Sequence, residues 1–295
     1  MPGLIIAITL AVVVALMLAA RAWLHRRLAA PRVPVTTTPE ALGLVGQAVQ
    51  IPTARGKWLS AWLLDGDPQR GRVVLCHGWG VNRCALVPLA RPLQALGWQV
   101  LMFDVRNHGE SDSDTFSSMP RFAEDIDAAL AWLQARTVDG AGPMVVAGHS
   151  VGAAATLLAA SRRNDLAGVI SLAGFVHPGV MMRRWLAARG IPLMPLGFLI
   201  LRYVEHVIGY RFEAIAPVNV IRAIRCPVLI AHGRSDRVIP PQDAEALAAA
   251  ADPNQIELVW LRGGHDLSAE LADQWPRLSG FLNRLDPVSQ AAWSA

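Results

Sequence analysis

Eight short apolar runs, at positions 45–51, 58–64, 73–76, 99–103, 144–147, 169–172, 228–231 and 257–261, restrict the fold of this chain more than any other feature. Turn residues bound each run. The first two alternate apolar and polar side chains, as a pair of half-buried strands does. The other six are apolar over most of their length, as strands buried on both faces are. Between them, stretches near 84–96, 121–136, 151–162, 242–251 and 267–284 have helical character. Alternation of this kind predicts an α/β fold with a mostly parallel central sheet and helices on both faces. The interval from about 175 to 221 breaks the rhythm: it is rich in Met, Leu and Arg and has no clear strand. It reads as a helical cap inserted between consecutive strands. The layout assigns residues 45–287 to one domain and 288–295 to a C-terminal tail.

Hydrophobic residues make up 53% of the chain and charged residues 17%, against roughly 25% charged in an ordinary soluble protein. A disordered chain and a coiled coil are both excluded. Part of the apolar excess is local. Residues 1–20 carry no charged side chain, and only Thr9 interrupts the apolar run from Leu4 to Ala20. About 17–20 helical residues cross a hydrocarbon core, so residues 1–24 are expected to form a transmembrane anchor. Residues 25–44, with Pro31, Pro34 and Pro39, then form a basic juxtamembrane segment and linker. A cleaved signal peptide would carry its positive charge before the apolar run and a small-x-small site after it. Here the charge comes after the run, and Ala20-Arg21-Ala22 is a poor cleavage site.

The net charge of +4 belongs to this end of the chain, because Arg21, Arg26, Arg27 and Arg32 meet no acid before Val33. From Val33 onward basic and acidic residues cancel, so the body offers no field for nucleic acid. Cations on the C-terminal side of the span place the rest of the chain in the cytoplasm, giving a single-pass protein of a bacterial inner membrane. Cys76, Cys84 and Cys226 are an odd set without metal-ligand spacing, as expected of free thiols in a reducing compartment.

The chemistry is carried by Gly148-His149-Ser150-Val151-Gly152, which lies between the run at 144–147 and an Ala-rich helix. G-x-S-x-G between strand and helix is a nucleophile elbow. Its glycines leave room for a tight turn, and the helix N-terminus beneath the serine favours developing negative charge.

With these residues the sequence resembles the α/β-hydrolase superfamily over roughly residues 45–285. Cys76-His77-Gly78-Trp79-Gly80 looks like the family's H-G-x-G loop. The resemblance implies that the backbone N–H groups of Trp79 and Val151 form an oxyanion hole, with the Trp79 side chain lining the pocket. The segment from Asp104 to Ser111 resembles the family's D-x-R-G-x-G-x-S turn, with Asn107 in place of a glycine. That turn is structural, so Asp104 and His108 are not assigned to catalysis. His232-Gly233-Arg234-Ser235-Asp236 with Pro240 beyond it matches the loop of the family's acid at Asp236. Gly263-Gly264-His265 matches the loop of its histidine at His265. The order Ser150, Asp236, His265 is the one this fold implies.

The implied reaction is acyl transfer. His265 takes the Ser150 proton as the serine attacks, and Asp236 orients the imidazole. Neither a cofactor nor a metal is called for. The expected substrate is a small-molecule or lipid acyl compound, most simply a carboxylic ester. A thioesterase or serine peptidase stays open, since the same triad serves all acyl transfers. So does a catalytically silent binding protein at the membrane. Neither His149, His232 nor His77 is assigned to the chemistry, and the cap is read as packing on the core or as an apolar lid over an acyl pocket, resting on anionic lipid.

Overall fold

Most of the runs become strands that bury their side chains on both faces of one sheet, whereas the first, at residues 46–53, leaves most of its side chains partly or fully exposed. The computed structural model describes residues 2–136, 140–266 and 271–285. The expected tail at 288–295 and the start of the expected helix at 267–270 lie outside the described residues. The strands are β1 (Gly46–Thr53), β2 (Lys57–Leu64), β3 (Arg72–Cys76), β4 (Gln99–Phe103), β5 (Met144–His149), β6 (Gly168–Leu172), β7 (Val228–Gly233) and β8 (Ile256–Leu261). They lie in the order β1-β2-β4-β3-β5-β6-β7-β8. β2 runs antiparallel to β1 and to β4, and all later pairings are parallel.

The described helices are α1 (Pro2–Arg27), α2 (Val87–Ala95), α3 (Met119–Gln134), α4 (Val151–Ala160), α5 (Pro178–Ala187), α6 (Phe198–Ile208), α7 (Phe212–Ile215), α8 (Pro217–Val220), α9 (Pro241–Ala250) and α10 (Leu271–Leu285). Strand periodicity divides the core between two faces. Val73 and Leu75 of β3 join Leu89 and Leu93 of α2 and Leu278 and Phe281 of α10. Val74 and Cys76 point the other way, into a cluster with Phe122 and Ile126 of α3, Leu157 of α4 and Leu247 of α9. A parallel strand covered in this way has no solvent face, which is why its sequence is a short unbroken apolar run.

The cap segment between β6 and β7 forms α5 to α8 and has a small core of its own: Leu186, Ile200, Leu201 and Phe212. It is latched to the body by Arg184, whose guanidinium reaches both oxygens of the buried Asp243 at 3.0 and 2.8 Å. The same carboxylate accepts the Val176 N–H at 3.0 Å, where the chain leaves the sheet for the cap.

Helix α1 is long and apolar enough to cross a membrane: an 18-residue stretch of it has a mean hydropathy of 2.8, and none of that stretch is buried in the protein. Only its far end meets the body, where Leu24 packs into the cap cluster. The chain then lies across the carboxyl edge of the sheet. Arg32 Nη2 donates to the Ser111 carbonyl at 2.5 Å, and Asn82 Nδ2 donates to the carbonyls of Val33 and Pro34.

Candidate active site

Open parallel sheets gather their functional groups at the carboxyl ends of the strands. Ser150 lies just past β5, Asp236 past β7 and His265 past β8. Ser150 sits at φ 58, ψ −118, a strained conformation for a residue with a Cβ, and the reason lies in its neighbours. A Cβ on Gly148 would overlap the Gly152 carbonyl, and one on Gly152 would overlap the carbonyls of Cys76 and His77. Both glycines are therefore fixed by close backbone approach. The Ser150 N–H is anchored on the Leu172 carbonyl at 2.8 Å, which ties the elbow to β6.

The three candidate residues meet. Ser150 Oγ lies 3.0 Å from His265 Nε2, and His265 Nδ1 lies 2.8 Å from Asp236 Oδ2. With Nδ1–H donating to the carboxylate, Nε2 is left as the acceptor for the serine proton. The second oxygen, Asp236 Oδ1, accepts the Val238 and Ile239 N–H groups at 2.8 and 2.9 Å. Asp236 is 5% exposed, so those two bonds fix a buried carboxylate in one orientation.

Three histidines outside this chain of bonds hold its loops. His149 Nε2–H donates to the His265 carbonyl at 2.9 Å, and His232 Nε2–H donates to the Ile239 carbonyl at 2.9 Å. His77 Nδ1–H donates to the Gly78 carbonyl at 2.7 Å, while its Nε2 accepts the Val105 N–H at 3.1 Å. That second bond requires a neutral ring. Burial, reinforced by His108 nearby, pushes His77 down to about 3. Burial also lowers the pKa of His149 and of His108. His108 Nε2 accepts the Gly80 N–H at 3.1 Å, so the Gly78–Gly80 loop is held from both sides.

The Gly78 backbone passes directly over the elbow, since a Cβ there would lie 3.2 Å from Ser150 Cβ. Trp79 follows Gly78 in this loop, and Val151 opens α4 directly after Ser150. The Trp79 side chain is 36% exposed and stacks on Phe122, with ring centroids 6.2 Å apart and planes at 9°.

The segment from Asp104 to Ser111 is a structural turn. Asp104 is fully buried, accepts the N–H groups of Arg83 and Glu110, and pairs with the Arg83 guanidinium. Asn107 adopts φ 68, the left-handed conformation its place in the motif implies. Sequence reasoning missed the Arg184–Asp243 latch and the contact between α1 and the cap. Neither leaves a local pattern, because the partners lie far apart in the chain.

A cavity of about 270 Å³ lies among His25, Leu28, Arg32, Phe116, Tyr203 and Ile208, and Ser150 is not part of its wall. It marks the seam between the chain after α1 and the cap.

Comparison with known proteins agrees with this architecture. A family model described as serine aminopeptidase, S33, matches residues 67–206. An uncharacterized protein of Mycobacterium tuberculosis, Rv2307c, is 30% identical over 224 residues, 72% of this chain and 70% of its own length. The sn-1-specific diacylglycerol lipase ABHD11 of Mus musculus is 34% identical over 109 residues, 37% of this chain and 34% of that protein. The chain spans about two thirds of the length of the bacterial relatives it matches. Among solved structures, the esterase Pf2001 of Pyrococcus furiosus superposes with a TM-score of 0.71 at 22% identity, covering 87% of this chain and 99% of that one.

Proposed function

Because the chain belongs to the α/β-hydrolase superfamily and is a hydrolase by that relationship, we propose that it hydrolyses carboxylic esters through Ser150, His265 and Asp236, anchored in a membrane by α1. The observation that carries this reading is the continuous path from Ser150 Oγ through His265 to Asp236, with bonds of 3.0 and 2.8 Å. His265 Nε2 accepts the serine proton as Oγ attacks the acyl carbon. The imidazolium so formed is stabilised by the buried Asp236 carboxylate. The Trp79 and Val151 N–H groups hold the oxyanion, each worth roughly 3–4 kcal/mol in the transition state. His265 then protonates the leaving alcohol, and water repeats the cycle on the acyl-enzyme.

The relationship to a diacylglycerol lipase supports an ester as substrate, and the family model described as serine aminopeptidase keeps a peptide as the second reading. The apolar α1, with Arg21, Arg26, Arg27 and Arg32 on its C-terminal side, supports an inner-membrane anchor with the hydrolase domain in the cytoplasm. A signal sequence would share the length and apolarity of α1, but it would carry its charge before the apolar run.

A fluorophosphonate probe tests the assignment on the full chain in detergent. Labelling of the wild type and none of Ser150→Ala is the expected result. Asp236→Asn, which inverts the tautomer of His265, should keep the fold and slow ester turnover by on the order of 10⁴. A folded wild-type protein that does not label would eliminate the proposal.

A further inference from the structure

The end of α1 and the cap are built as one unit. Leu24 is 8% exposed and sits among Leu186, Ile200, Leu201 and Phe212 of the cap. One residue on, His25 Nε2 shares a 2.8 Å hydrogen bond with the hydroxyl of Tyr203 on α6. Earlier in α1, the large apolar side chains from Leu4 to Leu18 are 42–68% exposed.

The cap continues that exposed apolar surface. Leu193, Met194, Leu196, Phe198 and Leu199, in the turn Leu193–Gly197 and the start of α6, are 48–67% exposed. At 1.5 Å per residue, Phe198 and Leu199 lie within about 8 Å of Tyr203 along the helix axis. These side chains do not belong to the cap's own core, which α6 already fills with Ile200 and Leu201. A soluble surface rarely keeps so many large apolar groups together without a partner. Cations outnumber acids in this segment: residues 175–221 contain five arginines and two glutamates. Arg184 pairs with Asp243, and Arg202 and Arg211 pair with Glu205, while Arg183 and Arg189 are exposed.

We infer that the turn Leu193–Gly197 and the first turn of α6 rest in the surface of an anionic bilayer, the same bilayer that α1 enters. A helix that crosses a membrane and is fastened at its end to the cap holds the cap at the headgroup level. Its neighbouring apolar side chains can then enter the acyl boundary while arginines meet anionic headgroups. The hydrolase domain thereby takes its substrate from a lipid surface. This rests on the anchored reading given above, so the test reads the anchor and the cap separately.

The full-length protein carries Cys84→Ser, while the thiols of Cys76 and Cys226 are buried. A single cysteine is placed at Val12, Leu199 or Asn254 and labelled with an environment-sensitive fluorophore. The protein is then reconstituted into vesicles of phosphatidylethanolamine and phosphatidylglycerol containing nitroxide lipids. The expected result is several-fold stronger quenching at Val12 and Leu199 than at the exposed Asn254, with Leu199 most sensitive to a shallow nitroxide. Replacing phosphatidylglycerol by phosphatidylcholine should weaken quenching at Leu199 and leave Val12 unchanged. Quenching at Val12 with none at Leu199 overturns the docking of the cap and spares the anchor. No quenching at Val12 overturns both, whereas absence of ester hydrolysis leaves the readout untouched.

Discussion

The His149 imidazole donates to the backbone carbonyl of His265 at 2.9 Å, and the two rings lie 5.0 Å apart. The residue before the candidate nucleophile thus fixes the loop of its candidate base. Two strand ends, β5 and β8, are joined across the sheet by one bond beside the reacting groups. His149→Phe should lower kcat by about 10- to 100-fold with little change in KM, because the base is misplaced while the pocket stays intact. His149→Gln, which can still donate from its amide, should recover most of the loss. Steady-state kinetics on a soluble ester separate the cases, and equal loss in both variants would argue against a positioning role.

Gly152 faces the carbonyls of Cys76 and His77 so closely that no Cβ fits. Gly152→Ala must push α4 away from the loop after β3, and overpacking of this kind costs roughly 1–3 kcal/mol. Gly190 is a useful contrast, because nothing lies within 4 Å of its Cβ position and only its φ of 67 opposes a side chain. Urea midpoints should fall clearly for Gly152→Ala and less for Gly190→Ala. Fluorophosphonate labelling should fail only in the first.

Acid should weaken the fold through His77. Its folded pKa, pushed down to about 3 mainly by burial, is below the ordinary value of 6.5. Between these values the unfolded chain binds the extra proton, so stability is complete above pH 6.5 and is lost as pH falls towards 3. From pH 6.5 to 5 the loss is about 2 kcal/mol. Asp125 works in the opposite direction. Burial raises it to about 6, so between its ordinary value and 6 the folded state holds the extra proton and gains stability as pH falls. Urea titrations at pH 7 and pH 5 should show a net loss for the wild type that His77→Gln reduces or reverses. An equal loss in both would remove His77 as the cause.

The orientation of α1 can be read without any assay of activity. With Arg21, Arg26, Arg27 and Arg32 after the apolar run, a reporter fused after Ala295 should be active if it requires the cytoplasm and silent if it requires the periplasm. Moving the cations, by Arg26→Glu and Arg27→Glu with two arginines added after Met1, should shift the population towards the inverted form. A periplasmic signal from the unaltered chain would overturn the charge argument.

The sheet and the three candidate residues were legible from the chain alone for local reasons. A strand buried on both faces must be a short apolar run and a half-covered one alternates, so the eight runs correspond to β1–β8 within a few residues. An elbow needs Gly148 and Gly152 at fixed offsets from Ser150, and the loops of Asp236 and His265 likewise carry signatures a few residues long. Other features depend on partners that sequence spacing does not bring together. Tertiary packing alone decided that His149 holds the carbonyl of a residue 116 positions away, that Arg184 latches the cap onto Asp243, and that Leu24 and His25 fasten α1 to α6. A hydrogen bond or ion pair between distant residues imposes no periodicity on either neighbourhood. The +4 charge has the same double character: its position beside α1 is plain in the sequence, whereas the meeting of that end with the cap is a property of the folded chain.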